Sequence, residues 1–312
     1  MNKERLLGDE EAKDRFVAEL RRVADFCGVQ VLTFCVMSNH YHILVRVDPR
    51  AKEADDKELV RRFRALYGEE KCPYINMDAR RVAWVLDSKL DDAKEVRAHL
   101  RGRMGDLAGF MKTLKQRYSV WYNGERGRVG TLWAERYKSC VVQDSAAVLR
   151  VVGAYIELNP VRAGLAERAE AYRWSGWGAA TGGEVSASQR AWARAGIVEM
   201  LGEETREGEE GRRFLESYGF LLRVKDDAGR GETGPVSGDG TGSLLERAPA
   251  LLRGAVVGTR AFVIRWSTCL GRMRTASPLS CRIGASGSEL FHARQPNRKR
   301  RTPARATTGT QK

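Results

Sequence analysis

The stretch Val29–Val47, VQVLTFCVMSNHYHILVRV, does most to limit the fold. Two runs rich in β-branched and aromatic residues flank Ser38-Asn39, and Asp48-Pro49 stops the second run. That pattern predicts a β-hairpin with strands over 29–37 and 40–47. Ahead of it, Asp9–Gly28 carries acidic residues in its first turns, a stripe of Phe16, Leu20, Val23 and Cys27, and a glycine that can close it. These features predict an amphipathic helix. A chain that opens as helix and hairpin belongs to the α+β class.

The second strand also carries chemistry. Alternate side chains of a strand share a face, so His40, His42, Leu44 and Arg46 lie on one side and Tyr41, Ile43, Val45 and Val47 on the other. The apolar side is the expected seat for helices, which leaves the histidines on the opposite face. Two of the chain's four histidines then stand a residue apart, with ring nitrogens close enough to share one divalent cation as neutral imidazoles. A polar solvent face is the commoner reason for such a pair, so the pair alone assigns no function. No cysteine pair or further histidine stands at the spacing of a structural zinc site.

Further along, residues 50–104 are charged and helical in pattern, with a turn near KCPYINMD, and read as an insertion packed on the core. Leu107–Asn123 has Leu107, Phe110, Met111, Leu114, Tyr118 and Trp121 at helical spacing. A strand is predicted at Glu135–Gln143. A helix follows from Asp144 or Ser145 as cap, and Pro160 brings it to an end. On that helix Tyr155 and Asn159 are four apart, hence on one face. A tyrosine hydroxyl is a poor nucleophile at neutral pH unless charge is stabilised nearby, and a carboxamide oxygen one turn away can serve a hard cation. Tyr118, Tyr122 and Tyr137 compete with Tyr155 on the same grounds. Tyr172–Gly183 reads as an aromatic, glycine-rich loop, followed by a helical extension over 183–224 and a low-complexity linker over 225–243. Residues 244–312 form a last segment in which periodicity fails beyond about Val263, leaving a basic, disordered tail.

Net charge is +14, but from Gly254 onward the chain holds 12 basic residues and one acidic. The first 253 residues are close to balanced, 42 basic against 39 acidic, so nucleic-acid binding by the core must rest on local patches. One such patch interleaves Lys112, Lys115, Arg117, Arg136 and Lys138 with tyrosines and tryptophans. Cations beside stacking surfaces suit single-stranded DNA, although a solvated helix face is basic too. The charged N-terminus is no secretory signal, and no apolar run is long enough to span a membrane. The six scattered cysteines then read as reduced thiols, which sets the expectation of a cytoplasmic protein.

The blocks GVQVLTFCVMSNHYHILV, MGDLAGFMKTLKQRYSVWYN, GRVGTLWAERYKSCVV, YIELNPVRAGL and YRWSGWG stand in the order found in the REP-associated tyrosine transposases. The chain resembles that single-tyrosine HUH family over about residues 9–182, within a domain spanning 1–182. The resemblance implies that His40 and His42 hold Mg2+ or Mn2+ with Asn159 completing the site, and that Tyr155 is the nucleophile. It implies cleavage and transfer of single-stranded, hairpin-forming repeat DNA through a 5′-phosphotyrosine link, with Arg162 joining the DNA-binding cations. Its fold is a ferredoxin-like antiparallel sheet with helices on one face and DNA on the histidine face. The family places a strand ahead of its first helix, but here only eight residues precede Asp9. A sheet without that first strand is therefore expected. The alternative is an inactive or truncated remnant that still binds DNA. Insertion-sequence relatives work as dimers and REP-associated ones as monomers, so monomer and homodimer both stay open. A third reading, RNA binding through the basic tail, rests on charge alone.

Overall fold

A computed structural model describes residues 5–88, 91–182, 184–202, 215–220, 222, 256–259, 261–263, 265, 281–283 and 288–293. The linker over 225–243 and most of the tail lie outside the described residues. Helix α1 (Glu10–Cys27) starts at Asp9, whose carboxylate accepts from the Ala12 amide. It closes on Gly28 at φ 61°, a left-handed conformation that glycine adopts without penalty. Phe16, Leu20, Val23 and Cys27 are all fully buried, as the stripe predicts. Strands β1 (Val29–Val36) and β2 (Tyr41–Val47) form the predicted antiparallel hairpin, with Cys35 opposite His42 and a bulge at Leu32 between Val31 and Thr33.

The insertion is helical: α2 (Asp56–Tyr67), α3 (Ala79–Asp87) and α4 (Asp92–Arg101) follow a short 3-10 turn at Pro49–Glu53. Helix α5 (Leu107–Glu125) begins at Asp106, which caps the Gly109 amide, and packs on α1. After the two-residue strand β3 (Val141–Val142) come α6 (Ala146–Glu157) and the short α7 (Asn159–Arg162). Then come α8 (Gly176–Thr181) and α9 (Ala187–Leu201).

Five expectations change. The hairpin is a sheet of two strands among the described residues, not a larger ferredoxin-like sheet. Residues Glu135–Cys140 form no strand, because side-chain bonds tie this stretch to α5 instead. The Trp133 indole donates to Lys115 O and Ser119 Oγ, and Lys115 Nζ donates to Glu135 O. Only β3 is left, and it pairs with β4 (Val256–Gly258) in a second sheet of order β3-β4-β6-β5. In that sheet β5 (Cys281–Ile283) and β6 (Ser288–Ala293) lie within the stretch expected to be disordered.

Helices also cover both faces of the hairpin rather than one. Phe16 of α1 stacks on Tyr41 at 4.7 Å, while α6 packs on the opposite, histidine-bearing face, where Leu44 is buried. Leucine at the third position of that face draws a helix over it, while His40 at the hairpin tip stays exposed. Finally, Tyr172–Gly183 contains α8 rather than a loop alone. Ser175 Oγ accepts from the Gly178 amide as its cap. Gly178 allows the helix to lie against the Tyr172 carbonyl, where a Cβ would overlap.

Candidate active site

His40 and His42 flank Tyr41 at the start of β2, their ring centroids 5.0 Å apart and their planes nearly perpendicular. Tyr41 turns the other way, into the aromatic cluster of Phe16 and Trp133. His40 is exposed at the hairpin tip, and its Nδ1 lies 2.7 Å from Asn39 Oδ1. A carboxamide oxygen only accepts, so in this contact Nδ1 is the donor. His42 is half-buried. Burial first, and the neighbouring His40 second, push its pKa down to about 4, so it is neutral at pH 7.

Two rings bound to one ion each place a centroid about 3 Å from it, the bond of ~2.1 Å plus half a ring. A centroid spacing of 5.0 Å fits that arrangement. Among the described residues no group of three or more His, Cys, Asp or Glu gathers as a metal cluster.

Helix α6 brings Tyr155 to this pair. Its ring meets His42 edge-on at 5.8 Å, and the Arg162 guanidinium lies 5.1 Å from its centroid. Arg162 gets there because Pro160 ends α6 and the chain turns at once into α7. The competing Tyr118 and Tyr122 make their ring contacts in an aromatic cluster on α5. Tyr118 is fully buried and donates its hydroxyl to Leu6 O at 2.7 Å, with burial raising its pKa. Tyr122 packs on Tyr118 and Trp121, and Tyr137 is a partly buried member of the core.

Asn159 Nδ2 donates to Tyr155 O at 2.8 Å and to Ile156 O at 3.4 Å, satisfying carbonyls at the end of α6. With the amide nitrogen held by the backbone, Oδ1 is the atom left for a cation. Ser145 occupies the cap position of α6 without a side-chain bond, and Asp144 serves a different purpose. Its carboxylate takes two hydrogen bonds from Arg46 of β2, at 2.8 and 3.0 Å, and ties the start of α6 to the histidine strand.

The basic patch divides. Lys112, Arg136, Lys138 and Arg162 are exposed and available to a polyanion. Arg117 is not: it pairs with Glu19 of α1 at 2.6 Å, and that carboxylate has no solvent exposure. A buried carboxylate must be paired, which makes Arg117 a structural cation. Lys115 is half-buried over Trp133 at 5.1 Å and spends a proton on Glu135 O.

Two site-supporting residues are not singled out by the sequence. Glu157, two residues after Tyr155, is completely buried and its Oε1 accepts from Thr33 Oγ1 of β1. Burial raises its pKa to about 7, against the smaller opposing pull of Thr33, the Trp177 amide and Ser175. Arg46 is the other, holding Asp144, Gln30 and Glu199 at once. The signal for Glu157 is a lone carboxylate in a helix apolar nearly all round, which predicts a buried partner.

No protein-family model, curated protein or solved structure matches the chain. Among the described residues no helix is long and apolar enough to cross a membrane.

Proposed function

We propose that the chain is a metal-dependent endonuclease and strand transferase for single-stranded, hairpin-forming DNA, a tyrosine transposase of the REP-associated kind. The observation that carries the reading is the edge-on contact of Tyr155 with His42, with Arg162 near the same ring and His40 beside His42. That grouping brings a phenol, two imidazoles and a guanidinium together from three separate elements. A purely structural tyrosine needs none of them.

In the proposed reaction the Tyr155 oxygen attacks phosphorus. The phosphorus–tyrosine oxygen bond forms as the bond to the 3′-oxygen breaks. The phenol proton leaves to solvent, and the 3′-oxygen gains a proton to end as a hydroxyl. The new ester links the 5′-phosphate to Tyr155, and attack by a second 3′-hydroxyl reverses the step without ATP. Mg2+ or Mn2+ on His40, His42 and the Asn159 oxygen supplies positive charge to the phosphate when bound. Arg162 stabilises negative charge on the phenolate and on the phosphoryl oxygens. Lys112, Arg136 and Lys138 are assigned to the backbone of the strand.

The remnant alternative, a binder that no longer cleaves, is favoured by one observation. The outer edge of β2 makes no backbone hydrogen bonds to another strand among the described residues. The two readings separate in a cleavage assay on labelled hairpin oligonucleotides with Mn2+ or with EDTA. Cleavage that requires Mn2+ and falls at least a hundredfold in His42→Ala supports the enzyme. Hairpin binding with no cleavage under either condition supports the remnant.

A further inference from the structure

A groove of about 720 Å3 lies between α1 and α9, over the beginning of β1. It is remote from the tyrosine site. His42 pairs with Cys35 near the hairpin tip, whereas the groove borders Val29–Val31, about 16 Å further along the strand. Its floor is apolar, formed by Val17, Val29 and Val31. Gly196 of α9 fits against the Val31 and Leu32 carbonyls, where a Cβ would overlap, and so closes that edge of β1.

The two ends of the groove differ in chemistry. At one end the first turn of α9 meets α1: Ser186 caps the helix, and Arg21 donates to Ser188 Oγ at 3.0 Å. Arg22 stands beside it, half of its side-chain surface exposed, in a long 3.8 Å contact with Glu19, which Arg15 and Arg117 hold more closely at 2.7 and 2.6 Å. A helix N-terminus flanked by two guanidinium groups favours a phosphate. Asp25, the acidic group of the lining, is already neutralised by Arg61 at 2.7 Å. Toward the other end stands Trp192, its indole supported from behind by Phe34 at 5.4 Å. Gln189 lies one turn away on the same helix, with a carboxamide able both to donate and to accept. An aromatic platform, a carboxamide and a phosphate site within one groove are the elements that bind an unpaired nucleotide.

We propose that this groove binds a nucleotide, its base on Trp192 and its phosphate at Arg21, Arg22 and the start of α9. The ligand is either a free mononucleotide or one unit of a single strand, since both present the same chemistry. The site does not depend on cleavage at Tyr155.

The test uses the full chain and two probes, thymidine monophosphate and a short thymidine oligonucleotide carrying one 4-thiothymidine. Irradiation of the oligonucleotide complex is expected to crosslink the peptide that contains Trp192, and to do so equally in Tyr155→Phe. Arg21→Ala/Arg22→Ala, which leaves Glu19 paired with Arg15 and Arg117, is expected to weaken binding about tenfold or more with an unchanged thermal transition. Crosslinking blocked by thymidine monophosphate identifies the mononucleotide site, and crosslinking it cannot block identifies a strand segment. Unchanged affinity of the double variant for both probes, with crosslinks only outside the Trp192 peptide, overturns the proposal. Loss of cleavage with the crosslink intact counts against the enzyme reading alone.

Discussion

The Tyr155 ring touches an imidazole that burial keeps neutral and lies near the Arg162 guanidinium. Arg162 is exposed and makes no burial contribution that its loss would forfeit. Arg162→Ala should therefore lower the cleavage rate roughly tenfold to a hundredfold while stability shifts by less than about 0.5 kcal/mol. Arg162→Lys keeps the charge but not the planar fork, so it should recover only part of the rate. Single-turnover kinetics on hairpin DNA check both, and equal rates for all three proteins would remove Arg162 from the mechanism. At this scale the shared face of His40 and His42 is legible from strand alternation, whereas the approach of Tyr155 to His42 depends on how α6 packs on the hairpin, and Asn159 falls in α7 rather than on the Tyr155 helix. Arg117 is misread for an equally physical reason. Its partner Glu19 is 98 positions away, and helix periodicity on α5 says only that the arginine lies off the apolar stripe.

Helix α6 owes its position to contacts behind the tyrosine. Asp144 and Arg46 tie its start to β2, and Glu157 and Thr33 tie its end to β1. Gly176 gives the second tie room, since a Cβ there would overlap Thr33 Oγ1 and crowd the Glu157 carboxyl. The pH dependence follows from burial. The folded state keeps Glu157 protonated up to about pH 7, while the unfolded chain releases that proton near its ordinary value of 4.5. A pKa raised by folding contributes stability that is complete below pH 4.5 and lost as pH rises through 7. Glu157→Gln has nothing to titrate. Its stability relative to the parent should climb between pH 5 and 8, by at most about 3 kcal/mol. Urea unfolding at a series of pH values measures this, and parallel profiles would contradict it. Elements α1 and α5 were readable from their caps and stripes. The strand expected at Glu135–Gln143 was not, because bonds from α5 to Trp133 and Glu135 compete with sheet pairing and leave no periodic trace.

Across the whole molecule, charge and chemistry are separated. The histidines, Tyr155 and Arg162 lie within the first 162 residues, whereas residues 264–312 carry 11 of the 54 basic residues. Removing 264–312, which also takes away β5 and β6, should reduce the salt dependence of DNA binding but leave hairpin cleavage in place. A salt titration of both forms decides it: loss of all binding on deletion would instead assign recognition to the tail. The α+β class was legible from the helix and hairpin alone. The extent of the sheet was not, since pairing partners are set by long-range packing that a single strand's alternation does not encode. The central claim concerns one covalent bond. Full-length protein should be mixed with labelled hairpin DNA and Mn2+, denatured, digested and analysed by mass spectrometry. The account predicts a nucleotide 5′-phosphate ester on the Tyr155 peptide, absent with EDTA and absent in Tyr155→Phe. An adduct on another tyrosine, or cleavage that persists in Tyr155→Phe, would contradict it.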